Sequence, residues 1–277
     1  MMIKPSIAAP VRTAGEHIRG WRQRRRLSQL NFALDAEISQ KHLSFIESGR
    51  ATPSRDMVLR LSEHLKVPLR DRNAMLLAAG YAPVFAERSI DDPALQAARA
   101  AIDLVLKGHE PFPAIAIDRH WTLVAANAAV PAILAMAGDA SLLQPPVNVL
   151  RLSLSPGGLA PHIVNFAEWR SHLLDRLRQQ IEMTADAQLD ALLRELLAFP
   201  VVDSGAADQD QKNYAGVLIP MQLRTPAGVL SFFSTTTVFG TPVDITLSEI
   251  ALEAFFPADA ATAEALRFAA NAQGVFI

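Results

Sequence analysis

Residues 40–44 place three hydrogen-bonding side chains on the first turn of a predicted helix. Gln40, Lys41 and Ser44 carry an amide, an ammonium group and a hydroxyl group, and the helical period turns them away from Leu43. An amide can bond bidentately to adenine, and an ammonium group can reach the acceptors of guanine. These side-chain types at this spacing therefore indicate recognition of base edges in a DNA major groove.

Two short helices joined by a tight turn are predicted over residues 28–54, and they would position these groups. Ser28 and Ser39 can cap the two helices, since a serine hydroxyl accepts from a free backbone N–H of the first turn. Gly49 suits the left-handed residue that ends a helix. We expect the second helix to bury Leu43 together with Phe45 or Ile46. The alternative is a plain two-helix hairpin without a role in DNA binding.

This stretch resembles the helix-turn-helix of the lambda-repressor-like (Cro-type, XRE) family. The matching residues, in chain order, are Gln29, Ala33, Ile38, Ser39, Gln40, Leu43, Ser44, Ile46, Glu47, Gly49, Pro53 and Ser54. The resemblance implies an all-α DNA-binding domain of five helices over residues 13–80, after a flexible tail over residues 1–12. Glu37 departs from the family pattern, which often has glycine in the turn, and a side chain there implies backbone strain.

The resemblance implies that double-stranded operator DNA is a partner. We expect Gln29 and Arg50 to clamp the phosphate backbone on either side of the second helix. The full set of predicted DNA-binding residues is Gln29, Ser39, Gln40, Lys41, Ser44, Arg50 and Ser54. A helix over residues 14–26 should turn Ile18 and Trp21 inward and a run of arginines outward, near the phosphates, namely Arg19, Arg22, Arg24, Arg25 and Arg26.

The charge is distributed unevenly along the chain. Residues 1–80 hold 14 Lys and Arg against 7 Asp and Glu, whereas residues 81–277 hold 12 against 21. A basic segment around a helix-turn-helix is the electrostatic pattern of a nucleic-acid binder. The acidic remainder would repel phosphate, so we expect it to face away from the DNA.

The remainder of the chain reads as a linker over residues 81–93 and a second domain over residues 94–277. A helix is predicted over residues 94–107, a hairpin over residues 114–126, and two long strands over residues 217–224 and 229–239. The region between them is mostly helical, with its longest helix starting near Phe166, and residues 201–213 read as a mobile loop. We expect one mixed sheet with helices on one side.

This second half resembles the ligand-binding domain of MmyB-like transcription regulators, a PAS-like mixed α/β fold. The resemblance covers roughly residues 92–266, and its most telling run is residues 230–242, followed by Asp244, Glu249 and residues 255–259. Ala126 departs from the family, which usually has tryptophan before Asn127. The resemblance implies a small apolar or fatty-acid-like ligand. Arg151 is the candidate partner of a ligand carboxylate, and the other candidate ligand-binding residues are Asn127, Asn165, Trp121, Trp169 and Phe232.

Enzyme chemistry is not indicated. The sequence has no glycine-rich phosphate loop, no His-Glu-x-x-His and no Gly-x-Ser-x-Gly, so we predict no catalytic residues, no metal site and no cofactor. The sequence favours a structural role for His162, for His172 and for the serine-threonine run over residues 234–237. The prediction is a one-component transcription factor that forms a homodimer. The alternatives are an enzyme with a PAS-like domain and a ligand-free dimerisation scaffold.

The predicted compartment is the cytoplasm. The chain has no cysteine, so it forms neither disulfides nor thiolate metal sites. Residues 1–11 lack the apolar core of a signal peptide, and no window approaches the roughly 18 apolar residues that span a membrane. We therefore expect no membrane partner.

Overall fold

The computed structural model describes residues 12–200 and 219–273, which fall into two compact units. The chain up to Glu87 forms the first unit together with Val243–Ile245, and Arg88–Pro242 with the chain from Thr246 onward forms the second. The predicted flexible tail, apart from Arg12, and the predicted loop over residues 201–213 lie outside the described residues. No described helix is long and apolar enough to cross a membrane.

The first unit contains the five predicted helices, which confirms its all-α fold: α1 (Ala14–Arg24), α2 (Gln29–Asp35), α3 (Gln40–Glu47), α4 (Arg55–His64) and α5 (Leu69–Ala78). Thr13, Ser28, Ser39 and Ser54 stand before the first four helices, and each hydroxyl accepts a backbone N–H of the first turn. The caps fix where the helices begin. Their apolar faces meet in one core that includes Ile18, Phe32, Leu43, Ile46, Val58, Leu61, Met75 and Leu76.

Arg22 was predicted to point outward, and that prediction is wrong. Its side chain is buried, and the residue keeps only 8% of its accessible surface. Arg22 follows Ile18 by four residues and therefore lies on the inner face of α1. Arg25 is also held back from solvent, because its Nε donates to the carbonyl of Leu65 at 3.0 Å, at the end of α4. The exposed arginines of this run are Arg19, Arg24 and Arg26.

Part of the predicted linker is fixed to the first unit. The Asn73 amide donates to the carbonyl of Phe85 at 2.7 Å, and its oxygen accepts from the backbone N–H groups of Val84 and Phe85. The hydroxyl of Tyr81 donates to the carbonyl of Pro53 at 3.2 Å. Side chains of α5 and of the linker itself therefore hold this segment in place.

Among the described residues that follow α5, the chain has five strands and further helices, one of which begins at Ile245, the last residue of the short segment that joins the first unit. The strands are β1 (Ala114–Ile117), β2 (Leu123–Ala126), β3 (Met221–Thr225), β4 (Gly228–Val238) and β5 (Ala251–Pro257). The helices are α6 (Gln96–Gly108), α7 (Val130–Leu134), α8 (Val149–Leu154), α9 (Phe166–Thr184), α10 (Ala187–Ala198), α11 (Ile245–Ser248) and α12 (Ala260–Gln273), with single 3-10 turns at Pro93–Leu95, Ala140–Leu143 and Ala160–His162. This combination confirms an α/β second domain.

The sheet has the order β2-β1-β5-β4-β3, and every neighbouring pair is antiparallel. The expectation of a mixed sheet is therefore wrong. Strand β5 was not predicted, although it lies at the centre between β1 and β4. Glu253 interrupts its apolar pattern, so local sequence gives the strand little signal.

Helices pack on both faces of this sheet, which corrects the expectation of helices on one side. Ile115 and Ile117 of β1 belong to a large core with residues of α8, α9 and α10. Ala114 and Ala116 point the other way and pack in a smaller core with Ile102 and Leu106 of α6, and with Ile250 and Leu252 beside them. The two cores follow from the alternation of side chains along a strand.

The turn between α2 and α3 gives a test of backbone strain. Glu37 has a φ of 52°, in the left-handed region that favours glycine. We expect Glu37→Gly to raise the free energy of unfolding of the first unit by about 0.5–1 kcal/mol, since relief of left-handed strain exceeds the entropy gained by the unfolded chain. Hydrogen exchange of the α2 and α3 amides in the full chain measures this change.

The control is Glu37→Ala, which keeps a Cβ in the strained position. Both variants remove the carboxylate that lies 3.3 Å from Arg60, so the ion pair does not distinguish them. A glycine variant no more stable than the alanine variant would contradict the account of strain.

Candidate functional site

The outer face of α3 presents the polar residues singled out from the sequence. Gln40 and Lys41 are exposed and Ser44 is half-buried, whereas Leu43, Ile46 and Glu47 face the core. The second helix of the predicted helix-turn-helix therefore offers an amide, an ammonium group and a hydroxyl group along one side of its first two turns. This is the arrangement that a helix needs to meet base edges in a major groove.

Phe45 also lies on this outer side, and the sequence did not settle its place. Ile46 is the buried residue of the two, at 1% exposure. The Nζ of Lys41 and the guanidinium carbon of Arg50 each lie 5.7 Å from the centre of the Phe45 ring. An aromatic ring flanked by two cations thus forms part of the exposed surface of α3. Phe45 stands four residues after Lys41, and this spacing could have placed the two side chains on the same side of α3.

The other predicted DNA-binding residues occupy defined positions around α3. The hydroxyls of Ser39 and Ser54 accept the N–H groups of His42 and Met57, so both serines act as helix caps. Arg50 is exposed just beyond α3. Gln29 lies at the start of α2, and its amide donates to Glu47 at 2.7 Å.

Glu47 joins three helices of the first unit. The Nε of Arg22 on α1 donates to Oε1 at 2.6 Å, a second guanidinium nitrogen donates to Oε2 at 2.9 Å, and Gln29 on α2 donates to Oε2. The third nitrogen of Arg22 donates to the carbonyl of Leu27 at 2.7 Å. Both charged side chains are buried, so the bidentate pair fixes the angle at which α3 leaves the core.

Gly15 allows α1 and α3 to come into close backbone contact. A Cβ at this position would lie 2.2 Å from the carbonyl oxygen of Ile46, which is far inside van der Waals contact. Any side chain at Gly15 would push the C-terminal end of α3 away from α1. Glycine at position 15 therefore maintains the same orientation of α3 as the Arg22–Glu47 pair.

The second unit contains a partly open cavity of about 100 Å³ between one face of the sheet and the helices that cover it. Its lining is mostly aliphatic and aromatic, with Trp121, Trp169 and Phe255 as the aromatic members. Among the described residues, Ser153 and Glu253 are the two lining residues with a hydroxyl or a charged group. A concave apolar space with few polar groups is typical of a small-molecule site.

Both predicted tryptophans line this cavity, and their ring N–H groups are bonded to the protein. Trp121 donates to Gln180 of α9 at 2.7 Å, and Trp169 donates to the hydroxyl of Ser153 at 3.0 Å. The rings therefore present their apolar surfaces inward. Phe232 is completely buried in the adjoining core and lies outside the cavity lining.

The turn that carries Trp121 is held in an unusual conformation. Trp121 has a φ of 65°, and its N–H donates to the carbonyl of Asp118 at 3.0 Å. The Nε2 of His120 lies 2.9 Å from Oδ2 of Asp186, at the start of α10. Burial opposes ionisation of Asp186, but bonds from His120 and from the N–H of Gln188 lower the pKa of this carboxyl below its ordinary value. Contacts from α9 and α10 thus set the position of the Trp121 ring.

Arg151 is not placed to anchor a ligand in this cavity, which corrects its predicted role. It lies outside the lining, and its guanidinium donates to both oxygens of Glu195 at 2.7 and 2.8 Å. The pair is partly open to solvent, with 43% and 40% of the two side chains exposed. The hydrogen bonds lower the pKa of Glu195 and raise that of Arg151. The guanidinium therefore has its carboxylate partner within the protein.

The two predicted asparagines serve the backbone instead of the cavity. Asn127 accepts the N–H of Ala114 at 3.1 Å and donates to the carbonyls of Leu106 and Phe112, which ties the β-hairpin to the end of α6. Asn165 accepts the N–H of Gln222 at 3.1 Å and donates to the carbonyl of Pro220 at 2.8 Å, before β3. Both residues are buried and lie outside the lining.

Glu253 is the site residue that the sequence did not reveal. It is 4% exposed and accepts from two nitrogens of Arg176 on α9 and from the hydroxyl of Thr236 at 3.0 Å. The guanidinium of Arg176 also lies 4.9 Å from the centre of the Trp121 ring. An ion pair between a half-buried arginine and a buried glutamate therefore adjoins the cavity wall. Arg176 and Glu253 are 77 residues apart, too far for local spacing to pair them.

Two family models match this chain. Residues 98–269 match the model described as the MmyB-like transcription regulator ligand binding domain, and residues 18–71 match the model described as helix-turn-helix. A comparison with curated proteins found no match. The first match contains the cavity, and the second contains α2, α3 and the Glu47 pair.

The buried pair below α3 gives a stability test. Glu47→Ala leaves the Arg22 guanidinium buried without its counter-charge, so we expect the free energy of unfolding of the first unit to fall by about 3–5 kcal/mol. The double variant Arg22→Met, Glu47→Leu replaces the pair with apolar groups and should recover most of that loss. Urea unfolding combined with hydrogen exchange of the α1 and α3 amides measures both changes.

The matched control is Glu63→Ala, which removes an exposed carboxylate from α4. Its effect should stay within about 0.5 kcal/mol, as for most surface substitutions. A Glu47→Ala variant as stable as this control would show that the pair does not fix α3.

Proposed function

The chain belongs to the family of MmyB-like transcription regulators, and we propose that it is a one-component regulator that reads operator DNA through α3. It binds the operator as a homodimer, and its second unit senses a small apolar or fatty-acid-like molecule. The observation that carries the DNA part is the outer face of α3, where exposed Gln40 and Lys41 follow the Ser39 cap in a matched helix-turn-helix.

The proposed contacts divide into base and phosphate contacts. Gln40 and Lys41 meet base edges from the first turn of α3, and Ser44 adds a hydroxyl one turn later. The Phe45 ring offers an apolar surface for a thymine methyl group. Phosphate contacts come from Arg50, from Gln29 at the start of α2, and from the helix starts capped by Ser39 and Ser54.

The distribution of charge along the chain also supports contact of the first unit with DNA. The first 80 residues carry a net charge of +7 when their 14 basic and 7 acidic residues are counted, and the remainder carries −9. Neutralisation of phosphates by exposed cations such as Arg19, Arg24, Arg26 and Arg50 would make DNA binding dependent on salt concentration.

The cavity supports the sensing part of the proposal. It lies within residues 98–269, which match a ligand binding domain, and its lining is largely apolar. The strained Trp121 turn and the Arg176–Glu253 pair border the same space. Strained backbone is concentrated at functional sites in folded proteins. Mass spectrometry of small molecules extracted from the purified, denatured protein tests whether the cavity carries a natural ligand.

A pair of variants separates base recognition from phosphate contact. Gln40→Ala should reduce discrimination at one base pair by about 1–3 kcal/mol, because an amide contact to a base edge is lost. Arg50→Ala should weaken binding to all sequences about equally and reduce the salt slope by about 1 unit. Gel shifts against single-base variants of a selected operator, repeated at several salt concentrations, measure both effects.

Each variant serves as the control for the other, since both residues are exposed and close to α3. Unchanged base preference in Gln40→Ala would remove this residue from base recognition. A loss confined to one operator sequence in Arg50→Ala would make Arg50 a base-reading residue instead.

The homodimer is tested by sedimentation. One helix-turn-helix contacts few base pairs, so two copies related by a two-fold axis are needed to read a palindromic operator of useful specificity. We expect two protein chains per operator duplex in sedimentation velocity at working concentration. A single chain per duplex, together with a monomer in the free protein, would contradict the proposal.

A further inference from the structure

We propose that the cavity of the second unit selects a neutral molecule that donates a hydrogen bond to Glu253, such as a phenol or an alcohol, over a carboxylate anion. The inference rests on the proposed sensing function. It narrows the proposed ligands, which are small apolar or fatty-acid-like molecules, to neutral ones. It depends on the position of Glu253, on the bonds that its carboxylate already accepts and on the other residues of the lining.

The register of the sheet places Glu253 on the cavity face. Glu253 lies opposite Ile115 of β1 and opposite Thr236 of β4. Residues directly opposite each other in antiparallel strands share a face of the sheet. Ile115 lines the cavity, as does Phe255 two residues further along β5. The Glu253 side chain therefore points toward the same space as these two side chains.

The carboxylate of Glu253 has acceptor capacity beyond its bonds to the protein. An ionised carboxylate offers about four acceptor positions. Arg176 and the Thr236 hydroxyl both donate to Oε1, and Oε2 accepts only from Arg176, at 3.2 Å, among the described residues. Oε2 can therefore accept a further donor. Because the lining is otherwise almost entirely apolar, a ligand hydroxyl is a suitable source of that donor.

The rest of the lining offers no cation to a ligand anion. The lining residues in the described chain include no Lys, Arg or His. The guanidinium of Arg176, which contacts the lining residue Trp121, is already engaged with Glu253. A ligand carboxylate in this space would be buried without a counter-charge and beside a like charge, and both conditions oppose binding. Ser153 can donate its hydroxyl to a ligand oxygen, which again suits an alcohol or a phenol.

The size of the cavity sets the scale of the ligand. Its volume is about 100 Å³. An apolar cavity of about 150 Å³ in another protein binds benzene, so a single small ring is the appropriate scale. Trp121, Trp169 and Phe255 surround the space with aromatic surface, which favours a ring over a flexible chain.

The test compares three probes of similar size, namely phenol, benzoate and benzene, on the full chain at pH 7. Isothermal titration calorimetry measures the affinities, and the fluorescence of the lining tryptophans reports where the probe binds. We expect phenol to bind about tenfold more tightly than benzene, because a hydrogen bond to a charged group adds to the same apolar burial. Benzoate should bind more weakly than either.

Two variants assign the preference to Glu253. Glu253→Gln should reduce the ratio of phenol to benzoate affinity at least tenfold, because the like charge is removed. Glu195→Gln breaks a comparable Arg–Glu pair outside the cavity lining and should leave the ratio unchanged. Circular dichroism establishes that each variant is folded. If Glu253→Gln does not fold, Leu173→Phe, which fills the cavity from α9, should abolish binding of all three probes.

The outcomes separate this inference from the proposed function. Benzoate affinity equal to or above that of phenol would overturn the preference for a neutral donor while leaving a sensing cavity in place. Binding that persists in Leu173→Phe would place the probes elsewhere and overturn the inference. Failure of all three probes to bind, with no small molecule extracted from the purified protein, would remove the sensing function as well.

Discussion

A carboxylate that is taken out of water must be given hydrogen-bond donors, and this constraint shapes both units of the protein. In the first unit, Glu47 receives donors from Arg22 and Gln29, so α3 is joined to the two helices before it. In the second unit, Glu253 receives donors from Arg176 and Thr236, so the long helix α9 is joined to the centre of the sheet. Each carboxylate fixes the element on which a proposed function depends.

The two carboxylates differ in what surrounds them. Glu47 lies between helices of the first unit, so its role is to hold α3 at one angle. Glu253 stands in the wall of a cavity, next to a tryptophan whose backbone is strained and whose ring packs against the same arginine. A change in the hydrogen bonds of Oε2 of Glu253 would therefore affect the contacts of both Arg176 and the Trp121 turn. The geometry links the contents of the cavity to α9 and to the β1–β2 turn.

Local signals determined which parts could be predicted. The serine caps and the apolar periodicity of the first unit act over a few residues. They were sufficient to predict its helices and the exposure of Gln40 and Lys41. Arg22 was misplaced although it follows Ile18 by four residues, because a charged residue favours an outward position and the partner that allows its burial, Glu47, is 25 residues away. Strand β5 was missed because the register of a sheet is set by tertiary packing. Arg151 was preferred to Arg176 as the important cation because the pairs Arg151–Glu195 and Arg176–Glu253 are also set by tertiary packing. Of the two lining tryptophans, Trp121 was chosen through the family resemblance and Trp169 through its place on the long helix that starts near Phe166.

The first unit is completed by a short segment from far along the chain. Asp244 pairs with Ala86 in a parallel bridge, and the N–H of Ile245 donates to the carbonyl of Ala86 at 2.8 Å. The polypeptide consequently passes between the two units three times, after Glu87, after Pro242 and after Ile245. The first unit is therefore not one contiguous segment of the chain. A chimera that exchanged only residues 1–87 would leave behind Asp244 and Ile245, which pair with Ala86.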